Sequence, residues 1–413
     1  MLILSLYPMK IVIISTYLPY PLSSGGAQAQ YNIIDKLQSK HQITFVFPVN
    51  GCNKISAMRH LQTVWKNVKF KPYSYFKQLS NLSFFLSKAE RAIKILCCKN
   101  SERFYVERAL KPYGFPTDRK FASFVNNCIE EAEADVVQID MYPFLTLVDS
   151  LPANIRKVFV HHELRWVRNE RLFQNIELTK KERLLFDVEK KKELEYLNKF
   201  DQIITLTDVD KKLLKEAGVV VPIAVSPASV NAIPMDYLPW NGSITFLGGY
   251  AHIPNSEGVN WLINKVFPLI DWTKYPQANF NIIGAGWPNQ IKSPDNILKV
   301  RSLGFVENIA DTISGSIMCV PILTGSGMRM KILEAAVMNV PFITTTVGVE
   351  GLDFKNEKAC LIADTPESFA NALETLMTDC EKCRLLTMNA SNVFSELYSV
   401  EAVAMRRESI LQG

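Results

Sequence analysis

Arg329, Lys331 and Glu334 stand close together in LTGSGMRMKILEAAVMNVPFITT, Leu323 to Thr345. Gly325 and Gly327 flank Ser326 just ahead of them, and an apolar helical pattern follows. The pattern predicts a helix from about Met328 to Asn339 with both cations in its first turn. A helix dipole disfavours positive charge there by roughly 0.3–1 kcal/mol. An anion at that end reverses the problem, because free N–H groups and cations then meet its charge together. Glu334 follows one turn after Lys331 on the same face, and a carboxylate can accept two hydrogen bonds, as from adjacent sugar hydroxyls. The chemistry that fits is the holding of a phosphorylated, hydroxyl-bearing ligand. The competing account is a Lys331–Glu334 surface pair, although Lys before Glu is the less favourable order.

Three further segments carry candidate chemistry. In FLGGYAHIPNSEGVNWL (246–262), Gly248 and Gly249 end a strand ahead of a helix expected near Asn255 or Ser256. In STYLPYPLSSGGAQAQYNIIDKL, Gly25 and Gly26 precede a helix expected near Ala27. Both arrangements suit close backbone approach to an anion, and both also suit a plain strand-to-helix turn. In VFVHHELRWVRNERLF, His161 and His162 end a predicted strand. Neighbouring residues on a strand point opposite ways, so one histidine is expected to face a ligand while the other packs into the core. Consecutive residues do not converge easily on one metal ion, and no H-E-x-x-H is present.

Two other motifs read as structural. Asp208 and Asp210 form a DxD that opens a helix, where a Thr207 or Asp208 cap and an acidic first turn account for it. Cys380 and Cys383 form a CxxC without the second pair or histidines that a zinc site needs, so they are expected to be ordinary helix-surface cysteines. The eight cysteines show no disulfide spacing, which points to a reducing compartment.

The elements that must position these residues alternate along the chain. Short β-branched apolar runs stand at 10–15, 42–48, 134–140, 156–162 and 201–207, and again at 243–249, 279–285, 317–323 and 340–346, with helical patterns between them. Apolar strands separated by helices indicate parallel sheets covered on both faces, and two such sets indicate two doubly wound α/β domains. A length of 413 residues agrees with more than one core. The expected boundary lies in the proline-rich stretch 219–242. Ligands of open α/β sheets bind beyond the carboxyl ends of the strands, so the expected site is the cleft between the domains.

The composition is 48% hydrophobic and 21% charged, with a net charge of +5, which gives no indication of nucleic-acid binding. No run reaches the roughly 18 apolar residues of a membrane helix. The opening MLILSLYPMKIVIIS lacks the marks of a signal peptide and reads as a first strand, with Met9 as an alternative start. A cytoplasmic protein is expected. Residues 54–111 differ from the rest, with thirteen Lys and Arg against Glu90, Glu102 and Glu107, and with aromatics interleaved. They fit either a solvated helical insertion or a segment lying on an anionic membrane at its cytoplasmic face.

Taken together, GSGMRMKILEAAVMNVPFITTTVGVEGL, FLGGYAHIPNSEGVNWL, VRSLGFVENI, SSGGAQ and FVHHELRWVRNERL resemble the GT-B glycosyltransferases of the large retaining group called family 4. The likeness is continuous over about 243–395, looser over 10–50 and 134–215, and lacking over 51–133. It implies two Rossmann-like doubly wound domains facing an interdomain cleft. The first spans 1–222 with a basic and aromatic insertion at about 51–133, and the nucleotide-sugar domain spans 223–395. Residues 396–413 form a last helix that returns to the N-terminal domain. By position, Glu334 is implied to hold the donor ribose, and Gly248, Gly249, Arg329 and Lys331 the diphosphate, with Gly325, Ser326 and Gly327 in the same loop. Leu303, Gly304, Phe305 and Val306 are implied to meet the base. His162 is implied to lie beside the transferred sugar, and Gly25 and Gly26 to face the phosphates or the acceptor. No metal or cofactor is implied.

The sequence departs from the family pattern at Ser326, where a glutamate is usual, and near Gly249, where an arginine is usual. The implied activity is transfer of a sugar from a nucleotide diphosphate to a glycan or lipid-linked acceptor in surface polysaccharide synthesis, with retention. Two alternatives stay open: a nucleotide-sugar epimerase on the same fold, and a non-catalytic nucleotide- or glycan-binding protein. An NAD-dependent oxidoreductase lacks its GxGxxG.

Overall fold

A computed structural model describes residues 7–22, 25–49, 52–74, 106, 109–110, 118–174, 176–231, 233–288, 291, 298–325 and 327–413, with residues 52 and 53 given by backbone alone. The chain divides into two compact units, Met1–Ser226 with Ala404–Gly413, and Pro227–Val403.

The first unit carries a sheet of strands β1 (Lys10–Ile14), β2 (Gln42–Val49), β3 (Val68–Ser74), β4 (Val136–Asp140), β5 (Arg156–His161), β6 (Gln202–Thr205) and β7 (Ile223–Val225). Their order is β3-β2-β1-β4-β5-β6-β7, with every pairing parallel. Its helices are α1 (Gly25–Leu37), α2 (Cys52–Val64), α3 (Arg119–Ala132), α4 (Arg165–Phe173), α5 (Lys180–Leu197) and α6 (Asp208–Glu216).

The second unit has strands β8 (Ser243–Leu247), β9 (Asn279–Ile283), β10 (Lys299–Gly304), β11 (Ile317–Val320), β12 (Phe342–Thr344) and β13 (Leu361–Ile362). They lie in the order β10-β9-β8-β11-β12-β13, again all parallel. Its helices are α7 (Ile253–Trp261), α8 (Ile309–Ile313), α9 (Met330–Val337), α10 (Thr346–Val349), α11 (Pro366–Thr378) and α12 (Cys380–Val393). Helix α13 (Val400–Gln412) closes the chain.

Both orders are doubly wound, with the sheet growing outward in both directions from its first strand. Burial on two faces explains the apolar runs. In β11, Ile317 and Cys319 enter one core cluster, while Met318 and Val320 enter another. Strand alternation therefore supplies both layers from one four-residue strand. The order also fixes a switch point in each sheet, between β1 and β4 and between β8 and β11, where consecutive crossovers leave in opposite directions.

The strands expected from the sequence form, with ends within a few residues of the expectation. Two were missed in the first unit. Residues 52–74, read as part of an insertion, supply α2 and the edge strand β3. Its polar VKFKPYS hides the strand signal, because only alternate residues are buried. Lys69 and Lys71 on β3 pair with Glu131 of α3, so this part of the basic stretch is committed to the domain. Residues 75–105 lie outside the described residues. The second is β7, which falls inside the expected linker and pairs with β6, so the boundary comes after Ser226 rather than at 222.

Helix α7 packs close to the chain leaving β11, and Gly258 makes this approach possible. A Cβ there would stand 2.1 Å from the Pro321 carbonyl oxygen. Alanine favours a helix over glycine by about 1 kcal/mol. Overpacking against backbone costs about 1–3 kcal/mol and is expected to win. Gly258→Ala should therefore lower the urea midpoint of unfolding; an unchanged or raised midpoint would contradict this packing.

Candidate functional site

Gly248, Gly249, Gly325, Gly327, Arg329, Lys331 and Glu334 of the second unit lie on the two segments that flank its switch point. The β8 chain ends in Gly248 and Gly249, and the neighbouring β11 chain leads through Gly325 and Gly327 to α9. The turns after β8, β9 and β10 are tied by backbone. Gly248 N donates to Ile283 O (2.8 Å), Tyr250 N to Ala285 O (3.0 Å) and Gly284 N to Gly304 O (2.7 Å). Gly284 permits this, since its φ is +140° and a Cβ would meet Gly248 O at 2.4 Å.

Asn255, on the first turn of α7, joins the two segments. Its Nδ2 donates to Gly249 O at 2.9 Å, and its Oδ1 accepts from Lys331 Nζ at 2.9 Å. The sequence reading passed over Asn255. The available signal was an amide on the inward face of a helix start, directly after the Gly-Gly turn. Helix α7 begins at Ile253, slightly before the expected Asn255, with a proline in its first turn.

Lys331 is half-buried, and its ammonium also stands 4.2 Å from the centroid of the Phe246 ring. Removal from water and the nearby Arg329 charge bring its pKa down to about 7, with Glu334 opposing. Through Asn255 it is linked to the Gly248–Gly249 turn, where the family pattern would have placed an arginine. Arg329 differs from the expectation. It caps α9, which begins at Met330, and its guanidinium donates to the carbonyls of Gly327 and Val347. Glu334 is buried on α9, one turn after Lys331. Ser326 lies outside the described residues. Leu303, Gly304, Phe305 and Val306 end the edge strand β10, with the Phe305 side chain 71% exposed.

In the first unit, alternation separates the histidines as expected. His161 shares the face of Phe159 and meets Glu193 of α5 at 2.7 Å, with both groups buried. His162 shares the opposite face with Asp140, whose Oδ2 lies 4.0 Å from His162 Nε2. Asp140 ends β4 at the switch point and accepts hydrogen bonds from Gln30 Nε2 of α1 and Gln138 Nε2 (2.9 Å). Burial lowers the His162 pKa, with Asp140 opposing and Arg407 and His161 adding to the shift. Among the described residues, Ser15 Oγ, Gln30 Oε1, Gln138 Oε1 and His162 Nε2 are buried without a hydrogen-bond partner. Such atoms suit a ligand rich in hydroxyls. The sequence reading missed Gln30, Asp140 and Arg407. Polar residues within the run ADVVQID were the available signal. Gly25 and Gly26 form the first turn of α1, two residues earlier than expected.

The structural motifs resolve as caps. Thr207 Oγ1 accepts from Asp210 N at 3.0 Å and donates to Asp210 Oδ2 at 2.7 Å. Cys380 is exposed at the start of α12, while Cys383 is buried rather than on the surface, its thiol directed at Leu376 O. Among the described residues, no cluster of three or more His, Cys, Asp or Glu could hold a metal ion.

Residues 241–379 match the family described as Glycosyl transferases group 1. The second unit thus carries a group 1 glycosyltransferase domain, and the chain is a glycosyltransferase. It has the GT-B fold, and solved structures of that fold resemble it along nearly its whole length. HepE of Anabaena, in complex with UDP and glucose, aligns with a TM-score of 0.63 at 13% identity, covering 98% of this chain and 100% of that one. Sucrose-phosphate synthase of Thermosynechococcus elongatus aligns with a TM-score of 0.67 at 13% identity, covering 97% and 98%. An uncharacterized 44.6 kDa protein in the cps region of Klebsiella pneumoniae is 20% identical over 416 residues, 95% of this glycosyltransferase and 97% of that protein. No described helix is long and apolar enough to cross a membrane.

The lowered Lys331 pKa makes a prediction about stability. Between about pH 7 and the ordinary lysine value, the unfolded chain binds a proton that the folded one does not, so stability rises with pH across that window, by at most about 1.4 kcal/mol per unit. Urea midpoints at pH 7, 8 and 9 should rise more steeply for the wild type than for Lys331→Met. Parallel curves would place the Lys331 pKa near its ordinary value.

Proposed function

We propose that this glycosyltransferase moves a sugar from a nucleotide-diphosphate donor to a glycan or lipid-linked acceptor in the synthesis of a surface polysaccharide. The observation that carries the donor reading is the tie from Gly249 through Asn255 to Lys331, with Glu334 one turn further along α9. In this reading the Gly249 N–H and the start of α9 receive the diphosphate, together with Lys331, with the Gly248 turn and the Gly325–Gly327 loop lying against it. Arg329 holds the loop and adds its charge. Glu334 accepts from the ribose hydroxyls, and the Leu303–Val306 chain meets the base. His162 lies beside the transferred sugar, and Gly25 and Gly26 border the phosphates or the acceptor. Ser326 stands where the family has a glutamate and takes part in choosing the sugar.

Bond breaking is favoured by stabilising charge on the departing diphosphate, which fixed N–H dipoles and two cations accomplish without a metal. The family likeness supports retention of configuration. UDP and glucose bound to HepE support a nucleotide-sugar donor, and the cps-region relative supports a polysaccharide product.

Isothermal titration with UDP, GDP and dTDP tests the donor site. The best-bound diphosphate should bind about tenfold or more weakly to Lys331→Ala and to Glu334→Ala, as expected for a lost charge-assisted hydrogen bond. If both variants bind as the wild type does, the site is misassigned. Bound anion raises the Lys331 pKa, so wild-type affinity should also fall as pH rises above about 7. A flat affinity profile from pH 6.5 to 9 would contradict a neutral Lys331 in the free enzyme.

A further inference from the structure

Pro254, Glu257 and Gly258 stand three and four residues apart on α7 and so share one side of the helix. The chain leaving β11 runs along that side in the opposite direction. A Cβ on Gly258 would stand 2.1 Å from Pro321 O, Glu257 Oε2 accepts from Thr324 Oγ1 at 2.7 Å, and a Cβ on Gly325 would stand 3.4 Å from Pro254 Cγ. The first and last of these contacts are steric and set how close the two segments come. The hydrogen bond between Glu257 and Thr324 is directional, so it also fixes where along α7 the segment sits.

The glycine loop that follows is held from its far end as well, where Arg329 donates to the carbonyls of Gly327 and Val347. Thr324 and Gly327 therefore bound the loop with one side-chain hold each. Glu257 and Thr324 are both exposed, and a hydrogen bond at the surface adds little to overall stability beside the packing of the core. Its effect is local. A short loop rich in glycine has many backbone conformations open to it, and a hold at its entrance removes most of them.

We propose that Glu257 is a positioning residue for the donor site: it holds Thr324, and through Thr324 sets the Gly325–Gly327 loop against the start of α9. Helix α7 then has two tasks, Asn255 holding Lys331 and Glu257 holding the loop. This rests on the reading that places the loop against the diphosphate. Glu257 touches no substrate in this account and acts through Thr324.

The test joins amide hydrogen exchange of the free full-length protein with calorimetry on the best-bound of UDP, GDP and dTDP, for the wild type, Glu257→Ala, Glu257→Gln and Thr324→Val. Glu257→Ala and Thr324→Val should each speed exchange over residues 321–331 and weaken binding by about threefold or more, with little change in the urea midpoint. Glu257→Gln keeps an oxygen that accepts from Thr324 and should bind at least as tightly as the wild type. The double variant, Glu257→Ala with Thr324→Val, should lose no more than either change alone. Unaltered exchange in both single variants, losses that add in the double variant, or a Glu257→Gln as weak as Glu257→Ala overturns the proposal. Faster exchange with unaltered binding also overturns the positioning role, while leaving the contact with Thr324 in place. Failure of the donor reading itself shows separately, as a Lys331→Ala variant that binds the diphosphate like the wild type.

Discussion

The second unit of this glycosyltransferase depends on one buried amide. Asn255 has both ends of its side chain engaged, one on the Gly249 carbonyl and the other on the Lys331 ammonium. Without it, a lysine driven into a half-buried position beside an aromatic ring would lose its hydrogen-bond acceptor, and the Gly-Gly turn would lose its link to α9. The amide is neutral, so it positions the cation without cancelling its charge. A carboxylate at the same place would neutralise the lysine that the reading assigns to the diphosphate.

That constraint explains the glycines around it. Gly284 lets the turns after β8 and β9 lie backbone against backbone, and Gly258 lets α7 come close to the chain leaving β11. Both bring the start of α7, and Asn255 with it, into reach of α9. The doubly wound order then places this cluster at the switch point between β8 and β11, where two crossovers part and leave open backbone ends. The first sheet repeats the arrangement with different chemistry. Its switch point presents Asp140 and two glutamines, with His162 just past the end of the neighbouring strand, so that a carboxylate, amides and an imidazole stand where the second sheet has a lysine and an amide.

Much of this was legible in the sequence because continuous apolar runs declare buried parallel strands, and glycines at strand ends declare turns. The opposite facing of His161 and His162 followed from strand alternation alone. Asp208 and Asp210 were legible as a cap for an equally local reason. What escaped were features fixed by tertiary contact. Strand β3 looked polar because it lies at a sheet edge. Asn255 gained meaning only once α7 was set against α9, and Arg407 only when its helix met Ser226, 181 residues away in sequence. Arg329 shows the same limit in reverse. It follows the glycine loop in the chain, but its guanidinium turns to loop carbonyls that the sequence does not reveal.

The central claim is that Asn255 and Lys331 act as one unit in holding the donor diphosphate. A double-mutant cycle on the tightest-binding nucleoside diphosphate tests it directly, with calorimetry on Asn255→Ala, Lys331→Ala and the double variant. The account predicts that each single change weakens binding and that the double variant loses little beyond Lys331→Ala, a coupling of about 1 kcal/mol or more. Losses that simply add, or an Asn255→Ala variant that binds like the wild type, would contradict it.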